Sequence, residues 1–201
     1  MDKKVYCGAM LLASIVSTGC AEQKKVEEQK PNIIYFLVDD MGMGDLSLTG
    51  QKKYETPNID KLAADGMLFP NHYCGTTVSG PSRACLMTGK HTGHTSVRGN
   101  QPGPQLLGDN EATLASVLKG AGYKTAVIGK WGIGHPIPLD DPQRKGFDLS
   151  YGYLNMWHAH NCFPEFLYRN GVKEELTGNK LALAEDGTNP WADMPEGPGE
   201  A

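Results

Sequence analysis

The sequence predicts an α/β fold in which helices cover a sheet. Apolar runs that look like buried strands alternate along the 201-residue chain with segments that carry helix caps and a helical repeat. The predicted order is a strand at 33–38, helices at 57–65, 81–87 and 113–120, and a strand at 124–128. This alternation is typical of a sheet flanked by helices.

The first predicted strand, residues 33–38, is apolar at nearly every position, as is typical of a strand buried on both faces. Asp39 and Asp40 follow it directly, and Gly42 and Gly44 permit a sharp bend. Because successive strand side chains point to opposite faces, both carboxylates reach one cation only if the chain bends at once. Open α/β sheets bind ligands at such strand ends, although adjacent Asp residues at a turn are more often simply solvated.

Two predicted helices are interpreted as scaffold. The helix at 57–65 has Thr56 as its N-cap, Pro57 at its first position and Gly66 as its stop. Like the helix at 113–120, it has apolar residues at helical spacing, which predict one buried face. These residues are Ile59, Leu62 and Ala63 in the first helix, and Leu114, Val117, Leu118 and Ala121 in the second.

The segment 79–89 predicts an anion site at a helix N-terminus. Pro81 presets a helical φ and Gly89 is a natural stop, so Ser79 should lie where the first N–H groups of the helix are free. Those groups and the helix dipole favour a negatively charged ligand, and Arg83 adds a guanidinium one turn later. Taken alone, the pattern S-x-P-x-R is most often an ordinary serine cap.

Two later features carry further candidate side chains. The strand at 124–128 leads to Lys130, which lies between Gly129 and Gly132 and could place an ammonium over an oxyanion. An exposed lysine beside a turn is the ordinary alternative. His158 and His160 form a His-x-His pattern that could serve catalysis, a transition metal or only the surface.

The string 79–89 resembles the sulfatase signature, in which Cys or Ser is followed by x-P-S-R and then x-x-L-x-T-G; every fixed position is matched. The tract that begins at Asp39 is similar to the N-terminal metal segment of that family. Residues 129–134 resemble its G-K-W-H-x-G sequence, with Gly132 in place of the His. The resemblance implies an alkaline-phosphatase-like sandwich with a mixed sheet flanked by helices, incomplete because the chain stops early.

The resemblance also implies sulfate-ester hydrolysis by an oxidised side chain. In the family the first signature residue becomes formylglycine, so Ser79 would be the nucleophile precursor and a radical-SAM sulfatase-maturating enzyme would modify it. Asp39, Asp40 and the modified Ser79 would contact calcium, with magnesium possible. Carboxylate oxygens suit Ca²⁺. Arg83 would steady the nucleophile and Lys130 would bind the sulfate.

The resemblance further implies an active-site histidine. His160 is the predicted catalytic histidine, and His158 is the second choice, as a substrate contact. The expected substrate is a sulfated small molecule or glycan. Two alternatives stay open: a phosphomonoester or phosphonate hydrolase of the same superfamily, which the tail from Leu86 to Gly89 disfavours, and a lipoprotein that binds sulfated glycans without turnover.

The N-terminus predicts export. Two lysines precede an apolar stretch at 5–16, which ends before a Gly-Cys junction, as in a bacterial lipoprotein signal peptide. Residues 1–19 would then be the signal peptide, 20–30 a hydrated tether and 31–201 the N-terminal part of a sulfatase catalytic domain. A lipid on Cys20 would be the only membrane attachment of a periplasmic or outer-membrane lipoprotein. A soluble periplasmic protein is the alternative.

Composition excludes some functions. The formal net charge is −4 and no Lys/Arg cluster occurs, which argues against nucleic-acid binding. Beyond the predicted signal lie Cys74, Cys85 and Cys162, an odd number that predicts no disulfide framework; Cys85 is expected to be a small buried side chain.

Because the family takes further calcium ligands and a second lysine from later segments, the sequence is interpreted as an N-terminal piece without turnover of its own.

Overall fold

The structure is a computed structural model, and it describes residues 29–100, 107–133, 141–154, 156–160 and 164–179. The chain divides into two compact units, Met1–Val38 and Asp39–Ala201. The predicted signal peptide, most of the tether and Cys162 lie outside the described residues. Within the described ranges, no helix has the length and apolar character needed to cross a membrane.

The first unit is described from residue 29 to residue 38, and these residues form neither helix nor strand. Its apolar side chains are exposed, from 47% for Leu37 to 81% for Phe36. The predicted strand at 33–38 is therefore wrong for this structure. An apolar run becomes a strand only where a neighbouring strand takes up its backbone hydrogen bonds, and the described residues of this unit contain no such neighbour.

The helices of the second unit follow the capping signals closely. Thr113 caps its helix by accepting a hydrogen bond from the Ser116 amide at 3.1 Å. Gly89 ends another helix in the left-handed region, at φ 66°, and donates to the Cys85 carbonyl at 2.8 Å. The helices are α1 (Pro57–Asp65), α2 (Ser79–Thr88), α3 (Leu114–Gly120) and the single turn α4 (Met156–Ala159). The three predicted helices are thus confirmed within two residues.

A four-stranded mixed sheet lies beside these helices, in the order β1-β2-β3-β4. Its strands are β1 (Ala126–Lys130), β2 (Leu149–Tyr153), β3 (Phe166–Arg169) and β4 (Val172–Glu175). β1 runs parallel to β2, with Lys130 opposite Tyr153, and the other neighbours are antiparallel. Asn170 and Gly171, both with positive φ, make the turn between β3 and β4. The predicted mixed α/β architecture is confirmed, with β1 two residues later than expected.

The core of the second unit lies where α2 and α3 meet the segment that follows β1. Trp131, directly after β1, packs edge-to-face on Phe147 with 5.8 Å between ring centroids. The other buried members are Ala84, Val97, Leu107, Ala115 and Ile133. Because Ala84 belongs to α2 and Trp131 follows the last residue of β1, this core fixes the helix against the strand end.

The predicted buried face of α3 is wrong. Leu114 is 44% exposed and Val117 62% exposed, whereas Ala115 is 1% exposed. The turn at Gly146 presses against the helix backbone there, because a Cβ on that glycine would lie 2.5 Å from the Ser116 nitrogen. The close approach leaves room for a small side chain such as that of Ala115, and the larger apolar residues Leu114 and Val117 are exposed. α1 likewise contains no buried residue.

Candidate functional site

Arg83 is the centre of a polar cluster at the carboxyl end of β1. Its Nε donates to the Ser79 hydroxyl at 3.1 Å, and its Nη1 donates to the Lys130 carbonyl at 2.7 Å. Its Nη2 donates to Asp39 Oδ1 at 3.1 Å. The guanidinium therefore joins the first residue of α2, the last residue of β1 and the start of the second unit, which uses the planar fork that distinguishes Arg from Lys.

Asp39 lies between two cations. Its Oδ1 accepts from Arg83, and its Oδ2 accepts from Lys130 Nζ at 2.9 Å. The Arg83 and Lys130 side chains are 11% and 13% exposed, but the Asp39 side chain is 49% exposed. Partial burial acts to raise the pKa of Asp39, and the hydrogen bonds and charges of Lys130 and Arg83 outweigh it, so that the pKa lies below its usual value.

Gly132 allows the two cationic side chains to lie together. It has a φ of 63°, a region that L side chains rarely adopt. A Cβ at this position would lie 3.2 Å from Arg83 Cδ and 3.4 Å from Lys130 Cε. The residue that replaces the family's His is therefore a close-packed spacer, which the sequence did not indicate.

Asn100 is a further site residue that sequence analysis missed. Its Oδ1 accepts a hydrogen bond from the Gly80 amide at 2.9 Å, next to Ser79. A Cβ on Gly80 would lie 2.8 Å from that oxygen and 3.3 Å from the Gly132 carbonyl. Asn100 thus fixes the first turn of α2, and because it acts through the backbone from outside any motif, no sequence signal pointed to it.

The carboxylates near the first bend do not assemble a metal site among the described residues. Asp40 is exposed and takes a left-handed φ of 57°, so the chain bends at Asp40 itself. Asp45 turns back to accept from the Gly42 amide at 2.7 Å. No group of three His, Cys, Asp or Glu residues in the described ranges is placed to share a metal ion. Calcium takes about six to eight oxygens, and both oxygens of Asp39 already accept from cations, so these residues alone do not fit calcium.

His158 lies in an aromatic environment. It is 2% exposed, and its ring centroid lies 4.4 Å from that of Phe166, 5.2 Å from Tyr153 and 6.2 Å from Tyr168. Burial first, and then the charge of Lys173, lowers the pKa of His158 to about 4. His158 is therefore a neutral side chain within the aromatic packing of the sheet.

His160, the predicted catalytic histidine, is exposed one residue beyond α4. The hydrogen bonds that connect Ser79, Arg83, Lys130 and Asp39 involve neither His160 nor His158. The structure thus brings together four of the predicted site residues. It leaves the role of His160 a prediction.

The Ser79 hydroxyl at the start of α2 contacts the Arg83 guanidinium, which shares Asp39 with the Lys130 ammonium. This cluster lies at the carboxyl end of a parallel strand, where α/β proteins commonly bind their ligands. A model of one family, described as Sulfatase, matches residues 31–189. The chain belongs to the sulfatase family.

Known proteins resemble the chain over part of their length. N-acetylgalactosamine-6-sulfatase of Sus scrofa is 44% identical over 137 residues, which cover 63% of this chain and 26% of that protein. N-acetylgalactosamine-6-O-sulfatase of Bacteroides thetaiotaomicron is 44% identical over 123 residues, 58% of this chain and 24% of that protein. The chain thus spans about a quarter of the length of these curated relatives.

A solved structure gives the same fold. The crystal structure of Ps i-CgsB in complex with k-i-k-neocarrahexaose superposes with a TM-score of 0.66 at 30% identity, covering 75% of this chain and 38% of that one. The chain therefore has part of the alkaline-phosphatase-like fold of sulfatases, in agreement with the sequence-based prediction.

Proposed function

We propose that this chain is part of a sulfuric ester hydrolase whose nucleophile is a formylglycine made from Ser79. The observation that carries the proposal is the contact of Arg83 Nε with the Ser79 hydroxyl, in a cluster that also holds Lys130. A nucleophile position and two cations at one helix N-terminus suit a tetrahedral anion. The sulfatase relatives support sulfate as that anion.

The chain's own residues would bind and orient the ester. When present, formylglycine would supply a hydrated aldehyde as the nucleophile and a route for releasing the sulfate. Arg83 orients position 79 through Nε, and the first turn of α2 presents its positive end to the anion. Lys130 offers an ammonium to a sulfate oxygen. Asn100 fixes the backbone beside the nucleophile.

Calcium, or magnesium, belongs to the proposal only through the family. Asp39 and Asp40 have the oxygen chemistry that calcium prefers, but two adjacent carboxylates are too few to bind it tightly. Further ligands would have to come from outside the described residues.

The substrate class follows from the relatives. Two of them are named for N-acetylgalactosamine 6-sulfate chemistry, and the structural relative holds an oligosaccharide. We therefore propose a sulfated glycan or a small sulfate ester as the substrate.

We also propose export with a lipid on Cys20, because the N-terminus resembles a lipoprotein signal peptide. Cys20→Ser should abolish labelling of the cellular protein by a radioactive fatty acid.

The modification is tested first. When the chain is coexpressed anaerobically with a radical-SAM sulfatase-maturating enzyme, mass spectrometry should show that the peptide containing Ser79 has lost about two hydrogens. Ser79→Ala should show no such loss. An unmodified Ser79 in the presence of an active maturase would contradict the proposal.

Hydrolysis is tested next, with the matured protein extended by its downstream coding sequence. It should release sulfate from an aryl sulfate, and Ser79→Ala should abolish release. The 201-residue chain alone should release none above the no-enzyme control, because its described residues contain no group of three side chains that could hold a metal ion to stabilise charge in the transition state. An extended protein that hydrolyses an aryl phosphate and not the sulfate would favour the phosphohydrolase alternative.

A further inference from the structure

We propose that Glu111 is a positioning residue for the nucleophile at position 79. It acts through the loop at 90–100, which it holds against the first turn of α2. The inference rests on the proposed function in one respect, which is that position 79 carries the nucleophile. It adds a residue that lies outside the signature and that no sequence motif indicated.

The 90–100 loop contacts the chain on both sides of the nucleophile position. Thr92 Oγ1 donates to the Gly75 carbonyl at 2.8 Å, ahead of that position. Asn100 Oδ1 accepts from the Gly80 amide at 2.9 Å, directly after it. The loop follows α2 and forms neither helix nor strand. Because it lacks the hydrogen bonds of a helix or a strand, its side-chain contacts determine where it lies.

Glu111 holds this loop from the segment before α3. Its Oε2 accepts from the Ser96 hydroxyl and, at 2.8 Å, from the Gly108 amide; its Oε1 accepts from Lys90 Nζ at 2.8 Å. The Glu111 side chain is 10% exposed. Burial acts to raise its pKa, and these hydrogen bonds and the charge of Lys90 outweigh it, so that the pKa lies below its usual value. One ionised carboxylate therefore binds the loop through two of its side chains.

The bond to Ser96 sets the direction in which the chain runs to Asn100. Val97, the next residue, is 1% exposed within the core. Packing of an apolar side chain is non-directional, so Val97 fixes a point of the loop but not its orientation. The hydrogen bond from Ser96 to Glu111 is directional and supplies that second constraint. Loss of Glu111 should therefore let Asn100 shift relative to the Gly80 amide.

Arg98 has a different role in the loop. Among the described residues, its guanidinium donates to the carbonyls of Gly93 and Thr95. Both carbonyls belong to the loop itself, so these bonds join the loop neither to α2 nor to the segment before α3. Glu111, and not Arg98, is therefore the anchor.

The first experiment measures hydrogen exchange of the Gly80 amide in the full 201-residue chain, by NMR with nitrogen-15-labelled glycine. Glu111→Gln keeps the size of the side chain but replaces one acceptor oxygen with a donor. We expect the Gly80 amide to exchange about fivefold to tenfold faster, which corresponds to the loss of one typical hydrogen bond. Asn100→Ala, which removes the acceptor itself, gives the upper limit.

Glu174→Gln is the matched control, since it removes a carboxylate that pairs with Arg169 at 2.6 Å on the sheet. It should leave exchange of the Gly80 amide within about twofold of the wild type. The Gly89 amide, at the other end of α2, should change by less than about twofold in both variants, because it opens with the helix end and not with the loop. A Gly80 amide that is unchanged in Glu111→Gln, or that changes by the same factor as Gly89, would overturn the proposal.

Ser96→Ala is the second variant, in case Glu111→Gln does not fold. It removes the hydroxyl of the loop while Glu111 keeps its bonds to Lys90 and Gly108. The Gly80 amide should again exchange faster, by about fivefold. A folded Ser96→Ala protein with wild-type exchange at Gly80 would overturn the proposal.

Turnover of the matured, extended enzyme gives the second readout. Glu111→Gln should lower kcat about tenfold and leave KM within about twofold, because a reacting group misplaced by about 1 Å can cost about a hundredfold. In an Asn100→Ala background the same substitution should lower kcat no further, since both changes act on the Gly80 amide. Additive losses, or an unchanged kcat in Glu111→Gln, would overturn the proposal. An extended enzyme without any turnover would contradict the proposed function alone, and the Gly80 amide would still decide whether Glu111 holds the loop.

Discussion

The cluster around Arg83 and the ring cluster around His158 differ in how they treat charge. Arg83 is held by three hydrogen bonds to polar partners, and its anionic partner is half exposed. His158 is buried against Phe166 and two tyrosines and is kept neutral there. Both regions contain residues that the sequence motifs indicated as candidate site residues. The difference shows that the charged residues selected by motifs are held in paired contacts next to solvent, while a histidine selected in the same way is part of the core.

The largest expected effect comes from removing the imidazole ring of His158 from the ring cluster. His158→Ala should lower the free energy of unfolding by about 3 kcal/mol or more, as for other losses of a large buried side chain. His158→Phe should recover much of that loss, because the surroundings are aromatic. Urea unfolding followed by circular dichroism measures both, and exposed His160→Ala, expected within about 0.5 kcal/mol of the wild type, is the control. A stable His158→Ala protein with impaired sulfate binding would restore the substrate contact predicted from the sequence.

Acid should act on the same region. The pKa of His158 is about 4 in the folded chain, against an ordinary value of 6.5. The unfolded chain therefore binds the proton first as the pH falls. Stability is unaffected above about pH 6.5 and is lost progressively down to about pH 4, by about 3 kcal/mol at most. The difference in unfolding free energy between wild type and His158→Phe, measured against pH, should show this slope; a flat difference would contradict the neutral assignment.

Arg83→Lys tests the other side of the comparison. Lysine keeps the charge but cannot donate to Ser79, Lys130 and Asp39 together. In the matured, extended enzyme we expect kcat to fall about a hundredfold or more, roughly 2.7 kcal/mol. Arg98→Lys is the control, because Arg98 donates to the carbonyls of Thr95 and Gly93 in its own loop. Equal rates for Arg83→Lys and the wild type would mean that charge alone is sufficient.

The smallest effect is expected at Gly132. Gly132→Ala should cost about 1–2 kcal/mol for the left-handed backbone, and its Cβ should also displace Arg83 or Lys130. Gly89→Ala is a matched control, since Gly89 has a φ of 66° and a Cβ added there would have no described neighbour within 4 Å. Thermal unfolding should show a similar backbone cost in both, and only Gly132→Ala should weaken sulfate binding. If both substitutions leave sulfate binding unchanged, Gly132 is not a spacer.

The sequence predicted elements whose signals are local. Caps and glycine stops located α1, α2 and α3, because capping depends on a few neighbouring residues. The prediction of a strand at 33–38 was wrong because a strand also needs a partner strand to take up its backbone hydrogen bonds. The prediction of which face of α3 is buried was wrong because the close approach of Gly146 decides which side chains are buried.

The site divides in the same way. Ser79, Arg83, Lys130 and Asp39 came from motif spacing, and the structure brings them together. The contribution of Asn100 could not be predicted, because it is a bond to a backbone amide from twenty residues away. Long-range backbone contacts of this kind leave no pattern in a single sequence.

The bond between Arg83 and the Lys130 carbonyl also sets a minimum delay during synthesis. The carbonyl lies 47 residues further along the chain than the guanidinium. At about 5–20 residues per second, the ribosome takes roughly 2–10 s to add that length. Until then α2 cannot make this contact with the end of β1. An enzyme that modified Ser79 on the nascent chain would therefore have at least these seconds before the contact could form.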